Sequence, residues 1–201
     1  MENKLLAITG NIATGKSYVA EILRRDHAFA HVNADEIGHR VLREAPVRDA
    51  IRESFGDTVL SRGEVDRRAL GAMVFGDQKK LATLGDITRP RIIAIARDEV
   101  RALIEAGHRV LFEAAILFEA GWDREFPTIL LTVCHETEQI DRVMRRNACS
   151  MDEAITMIRS QIPQDEKLDR VTYVIDTTHG PRAFKKTLEL IVRDITGTGR
   201  D

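Results

Sequence analysis

Eight residues near the start of the chain limit its fold more than any other stretch. Gly10-Asn11-Ile12-Ala13-Thr14-Gly15-Lys16-Ser17 fits G-x-x-x-x-G-K-S/T at every fixed position. The glycines let the backbone turn so that successive N–H groups converge on one anion, the lysine adds a point charge, and the hydroxyl offers a hard oxygen donor. The pattern alone also describes a Gly-rich turn that binds nothing. Context separates the two readings. Leu5-Leu6-Ala7-Ile8 is a compact apolar run ending at Thr9-Gly10, and helical spacing follows at Val19, Ile22 and Leu23. The loop therefore joins a strand to a helix whose positive dipole end meets the same anion. Asn11, Ile12, Ala13, Thr14, Gly15, Lys16, Ser17 and Tyr18 are predicted to hold ATP, with Lys16 at the β- and γ-phosphates and Ser17 on Mg²⁺.

The remainder alternates in the same way. Phe29–Val32, Val110–Phe112, Ile129–Val133 and Tyr173–Ile175 are short β-type runs. Between them Ala96, Val100, Leu103 and Ile104 form one apolar helical face, with Gly107 placed to end that helix. Ser150-Met151-Asp152-Glu153 has the form of a capping box, and Gly180-Pro181 opens a last helix. Nearly unbroken apolar strands alternating with helices predict an α/β fold, a five-stranded parallel sheet covered on both faces. From about Pro46 to Ala106 the pattern is helical without an obvious strand, a helical insertion between the second and third strands. Without repeats or a Gly/Ser/Pro-rich linker, residues 1–201 read as a single domain carrying that insertion.

Composition narrows the partners. Thirty basic against 32 acidic residues leave a net charge of −2, which supplies no bulk attraction for nucleic acid or an anionic membrane. The longest apolar run, about Ala114 to Phe118, is far too short to span a bilayer, and the first residues lack a signal peptide's apolar core. The expected compartment is the cytoplasm. Cys134 and Cys149 form no C-x-x-C pair and read as ordinary thiols. None of the six histidines has metal-ligand spacing, and neither G-x-S-x-G nor H-E-x-x-H occurs, so hydrolase and metalloenzyme readings lack their parts.

Three further features each carry two readings. Asp35 follows the second strand, where parallel sheets gather ligands; it either accepts the proton of an attacking hydroxyl or caps the helix Glu36–Leu42. Arg142, Arg145 and Arg146 share one helical face with no acid at matching spacing; they either stabilise charge on a transferred phosphoryl group or form a solvated face. Glu113 ends the third strand, either beside the Mg²⁺ hydration shell or as plain surface.

Together these stretches resemble the dephospho-coenzyme A kinase family. The resemblance runs from about Leu5 to Gly180 through the P-loop, Asn33-Ala34-Asp35, Val65-Asp66-Arg67-Arg68-Ala69-Leu70 with Val74-Phe75, and Ile116-Leu117-Phe118-Glu119. It continues through Ser160-Gln161-Ile162-Pro163, Glu166-Lys167-Leu168 and Val174-Ile175-Asp176. The resemblance implies a three-layer P-loop kinase core, a helical CoA-binding insertion at about 46–106 and a lid at about 138–165. It implies ATP and dephospho-CoA as substrates, Asp35 as the base, and Arg142 and Arg146 in the lid, with Arg145 additional. Another nucleotide or nucleoside kinase, or a nucleotide-binding regulatory module without turnover, are the alternatives. The departures are Asn33 for an Asp, Asn11-Ile12-Ala13-Thr14 for G-I-G-S, Tyr18 for Thr, Glu113 for Asp, and Ala115 for Pro. In Thr88-Arg89-Pro90-Arg91-Ile92-Ile93, Arg89 and Ile93 replace a His and an Arg of the acceptor-side insertion, where Arg89 and Arg91 bring charge of their own.

Overall fold

The computed structural model describes residues 4–74 and 76–197; Phe75, quoted above beside Val74, and Met1-Glu2-Asn3 lie outside the described residues. The strands are β1 (Leu5–Thr9), β2 (Ala30–Asn33), β3 (Leu60–Ser61), β4 (Glu64–Val65), β5 (Val110–Glu113), β6 (Ile129–Val133) and β7 (Tyr173–Asp176). The helices are α1 (Lys16–His27), α2 (Ala34–Val41), α3 (Ala45–Phe55), α4 (Arg67–Val74), α5 (Gln78–Glu105), α6 (Glu136–Asn147), α7 (Met151–Arg159) and α8 (Pro181–Thr196). The chain divides into two compact units, Met1–Val32 with Val100–Asp201, and Asn33–Glu99.

The first unit is built on a five-stranded parallel sheet in the order β2-β5-β1-β6-β7, as the apolar runs predict. Alternation along the strands sorts their side chains to two faces. Leu6, Ile8, Leu111, Leu130 and Ile175 join Val19, Ala20 and Leu23 of α1 and Phe184, Leu188 and Ile191 of α8 in one buried cluster. Each of these side chains but Ala20 contributes about 1.5–3 kcal/mol when fully buried. Phe112, one residue past Leu111, turns the other way and packs on Phe126, ring centroids 4.8 Å apart, and on Trp122 at 6.0 Å. Leu5 lies opposite Val110 and Ile8 opposite Glu113, so β1 and β5 end at one edge of the sheet.

The second unit corrects one expectation. The stretch predicted to be helical throughout contains an antiparallel hairpin, β3 with β4, pairing Leu60 with Val65 and Ser61 with Glu64. Its turn, Arg62-Gly63, has φ of 52° and 81°, the positive values that a two-residue hairpin turn requires. Two residues per strand are too few to impose an alternating pattern on the sequence. Caps set the helix starts here. The Asp66 carboxylate accepts from the amides of Arg68 and Ala69 at 2.9 and 3.1 Å, opening α4, and Asp77 does the same for α5 through Lys79 and Lys80. Pro90 lies inside α5, where it cannot donate to the carbonyl four residues earlier. Arg91 pairs with Glu44 at 2.7 Å, and the Arg89 guanidinium packs against Gly85, so a Cβ there would displace it.

Candidate active site

The loop after β1 is held close to β6. A Cβ on Gly10 would stand 2.1 Å from the Thr132 hydroxyl and 2.7 Å from the Thr132 carbonyl oxygen, so the first motif glycine is required by contact. The last, Gly15, is required by conformation: its φ is 83°, and α1 starts at the next residue. Ala13 also sits in the left-handed region, at φ 62°, without glycine's freedom. The Thr14 hydroxyl bridges the Asn11 carbonyl and the Thr132 hydroxyl, both at 2.9 Å, and buried Thr177 donates to the Thr14 carbonyl at 2.8 Å. At the start of α1 the Tyr18 and Val19 amides both donate to the Gly15 carbonyl at 3.1 Å, and this end of the helix is its positive end.

Because β1 and β5 end together, Glu113 reaches the loop. One carboxylate oxygen accepts from Lys16 Nζ at 2.6 Å and from Ser17 Oγ at 2.7 Å; the other lies 2.9 Å from His31 Nε2 on β2. Glu113 is 1 % exposed and Lys16 8 %, which excludes the reading of Glu113 as plain surface. Burial opposes ionisation of this carboxyl, yet the His31 hydrogen bond, the Lys16 charge and the Lys16 and Ser17 hydrogen bonds outweigh it. The pKa is held well below the ordinary 4.5, at about 2. His31 was not legible beforehand. Only the strand order, which places β2 beside β5, brings it to Glu113.

The arginines of α6 separate. Arg142 donates through Nη1 to Thr177 Oγ1 at 3.0 Å and towards the Ala13 carbonyl at 3.4 Å, and through Nη2 to the Thr177 carbonyl at 2.9 Å, so it lies against the phosphate loop. Arg146 is exposed and bonds its neighbour Asn147 at 3.1 Å. The face is not free of acids as predicted. Glu138, one turn earlier, pairs with Arg142 at 2.8 Å and stands 3.8 Å from Arg145. Helix geometry brings i and i+4 together whichever sign they carry.

In the second unit, Asp35 does not cap its helix. Asn33 does, its side-chain oxygen accepting from the amides of Asp35 at 2.9 Å and Glu36 at 3.2 Å. Asn caps as well as Asp, so the departure at that residue keeps the cap. Asp35 stands exposed in the first turn of α2.

Side chains that composition gives no reason to notice brace the loop from outside. The Ile12 amide donates to Gln161 Oε1 at 2.6 Å and the Ile12 carbonyl accepts from Gln139 Nε2 at 2.8 Å. Gln164 bonds both the amide and the carbonyl of Cys134, at 3.1 and 3.2 Å. Gln161 and Gln164 flank the Ile162-Pro163 that entered the sequence reading only through resemblance. Burial pushes the Cys134 thiol up to about 11, keeping it protonated and inert.

A parallel sheet whose first strand runs into a phosphate loop, with a buried acid from the next strand on its lysine and hydroxyl, defines a P-loop kinase of the α/β class. A family model described as dephospho-CoA kinase matches residues 4–181. A dephospho-CoA kinase of Carboxydothermus hydrogenoformans is 35% identical over 192 residues, covering 94% of this chain and 93% of that one. A crystal structure from Thermus thermophilus superposes with a TM-score of 0.80 at 29% identity, covering 96% and 98% of the two chains. A dephospho-CoA kinase from Campylobacter jejuni shares the fold at TM-score 0.72 and 24% identity, covering 98% and 99%. The chain belongs to the dephospho-CoA kinase family.

Proposed function

We propose that the chain transfers the γ-phosphoryl group of ATP to the ribose 3′-hydroxyl of dephospho-CoA, giving CoA and ADP, the last step of coenzyme A biosynthesis. Family membership supports the substrates, and one observation carries the chemistry: buried Lys16 and Glu113 meet the exposed Ser17 hydroxyl at the end of β1 and β5. In the reaction the 3′-oxygen forms a bond to the γ-phosphorus while the bridging bond to ADP breaks, and Asp35 takes the hydroxyl proton. Lys16 and the loop amides balance the charge that moves onto the β–γ bridge and the γ-oxygens, which is where positioning and electrostatics contribute most. Arg142 lies beside the loop and Arg146 one turn further along α6, and we assign both to the transferring group.

Ser17 and Glu113 offer oxygen donors 2.7 Å apart, the hard ligands that suit Mg²⁺, which binds through one or two carboxylates and phosphates and not through a protein cage. Ser17 and Glu113 would hold the ion, which when bound would supply positive charge against the phosphates. No helix among the described residues is long and apolar enough to cross a membrane, and we place the reaction in the cytoplasm. The test is an acceptor panel with purified protein and MgATP. ADP release should depend on dephospho-CoA, and equal or faster turnover of another nucleoside or nucleotide would overturn the substrate assignment.

A further inference from the structure

Lys167 is the largest side chain with no exposure, at 0 %. A lysine is almost never fully buried unless it is paired. Its ammonium donates to Asn11 Oδ1 at 2.6 Å and to Glu119 Oε1 at 3.0 Å, and lies 5.8 Å from the centre of the Phe118 ring. The two acceptors are themselves tied in. Asn11 Nδ2 donates to the Ile162 carbonyl at 2.9 Å, and the Ile162 amide donates to the same Glu119 oxygen at 3.1 Å. Asn11, at 3 % exposure, is the second residue of the phosphate loop, and its carbonyl receives the Thr14 amide at 3.1 Å and the Thr14 hydroxyl at 2.9 Å.

A buried ion pair is a poor source of net stability, since desolvation offsets most of its attraction and well-packed apolar residues often do as well. What such a pair supplies is geometry. Lys167 and the Ile162 carbonyl hold the Asn11 side chain at its oxygen and nitrogen, which anchors the residue whose backbone carbonyl receives Thr14. We infer that Lys167 is a positioning residue for the phosphate loop, acting through Asn11 to hold the loop in its anion-binding shape before nucleotide arrives. This rests on the reading of the loop as an ATP site. It also ties the 161–167 segment, which follows α7, to the loop.

The experiment is calorimetric titration of ATP with Mg²⁺ into the wild type, Asn11→Ala, Lys167→Met and the double variant, with a melting curve for each. Asn11→Ala leaves the Lys167–Glu119 pair in place. Each single variant should weaken ATP binding by about tenfold and raise KM for ATP more than it lowers kcat. The double variant should also lose only about tenfold, because both changes cut one link. Melting temperatures that fall while the affinity of the folded variants stays within twofold of wild type would overturn the inference and leave Lys167 as scaffolding. A hundredfold, additive loss in the double variant would overturn it as well. If Lys167→Met does not fold, Asn11→Ala decides: tenfold loss without a lower melting temperature supports the link, and unchanged affinity ends it. A wild type that binds no ATP would remove the reading underneath, a result distinct from all of these.

Discussion

Asp35 shows how one neighbouring residue changes the meaning of another. The sequence offers it as base or as cap, and the two readings separate only once Asn33 is seen accepting the amides of Asp35 and Glu36. An asparagine two residues ahead of an aspartate gives no sequence signal for which of them caps. Asp35→Asn keeps size and hydrogen bonding and cannot take a proton. It should lower turnover by roughly 10²–10⁴-fold, the usual worth of a positioned base. Loss of charge at the positive helix end should cost no more than about 1 kcal/mol. Turnover near wild type in a steady-state assay would end the assignment. Glu113 gives the second expectation at this scale. Its folded pKa, about 2, lies below its ordinary 4.5, so the stability it contributes is complete above about pH 4.5 and is lost as pH falls towards 2. Melting of the nucleotide-free protein between pH 5 and 2 should therefore show a shallower acid fall for Glu113→Gln than for the wild type.

At the scale of elements, most of the first unit was legible and the second much less so. Strands such as Ile129–Val133 are apolar at nearly every residue because both sheet faces are covered, and such runs stand out. The capping box before α7 was legible for a local reason: the Ser150 hydroxyl receives the Glu153 amide at 3.3 Å and Glu153 returns a bond to the Ser150 amide at 2.8 Å. The hairpin at Leu60–Val65 was not, since nothing but the turn distinguishes it. Helix α6 was legible as a helix with three arginines, but not in what each arginine does. Arg142 lies against the Ala13 carbonyl and Thr177, whereas Arg146 bonds its neighbour Asn147. Arg142→Ala should cost about 2–4 kcal/mol of transition-state stabilisation, roughly 1.5 to 3 powers of ten in kcat/KM. Arg146→Ala should cost less unless the helix moves during turnover. Equal losses in the two variants, with circular dichroism unchanged, would show that the arrangement seen at rest is not the one that reacts.

For the whole molecule the phosphate loop is a shared point of support for several separate stretches. Residues 132, 139, 142, 161, 167 and 177 all bond to it or to its side chains. Each is more than a hundred residues away in sequence, which is why no local pattern revealed them. A ligand that binds the folded loop should therefore stabilise the entire first unit. ATP with Mg²⁺ at a hundred times its dissociation constant adds about 2.7 kcal/mol. That should raise the melting temperature by roughly 5–10 °C for a chain of this size. Lys16→Ala should abolish most of that rise. An identical rise in the variant, followed by differential scanning fluorimetry, would place the nucleotide elsewhere.

Glu113 holds the Lys16 ammonium at 2.6 Å in a site where Lys16 is 8 % exposed, so the fold itself immobilises that side chain. A free lysine stem carries about 2 kcal/mol of rotational freedom that binding must otherwise remove. Here that freedom is surrendered when the chain folds. A phosphate oxygen that took Lys16 from Glu113 would meet a cation already aimed, and that difference corresponds to about thirtyfold in affinity. A drifting lysine would give the same contacts in the bound state and a slower, weaker capture.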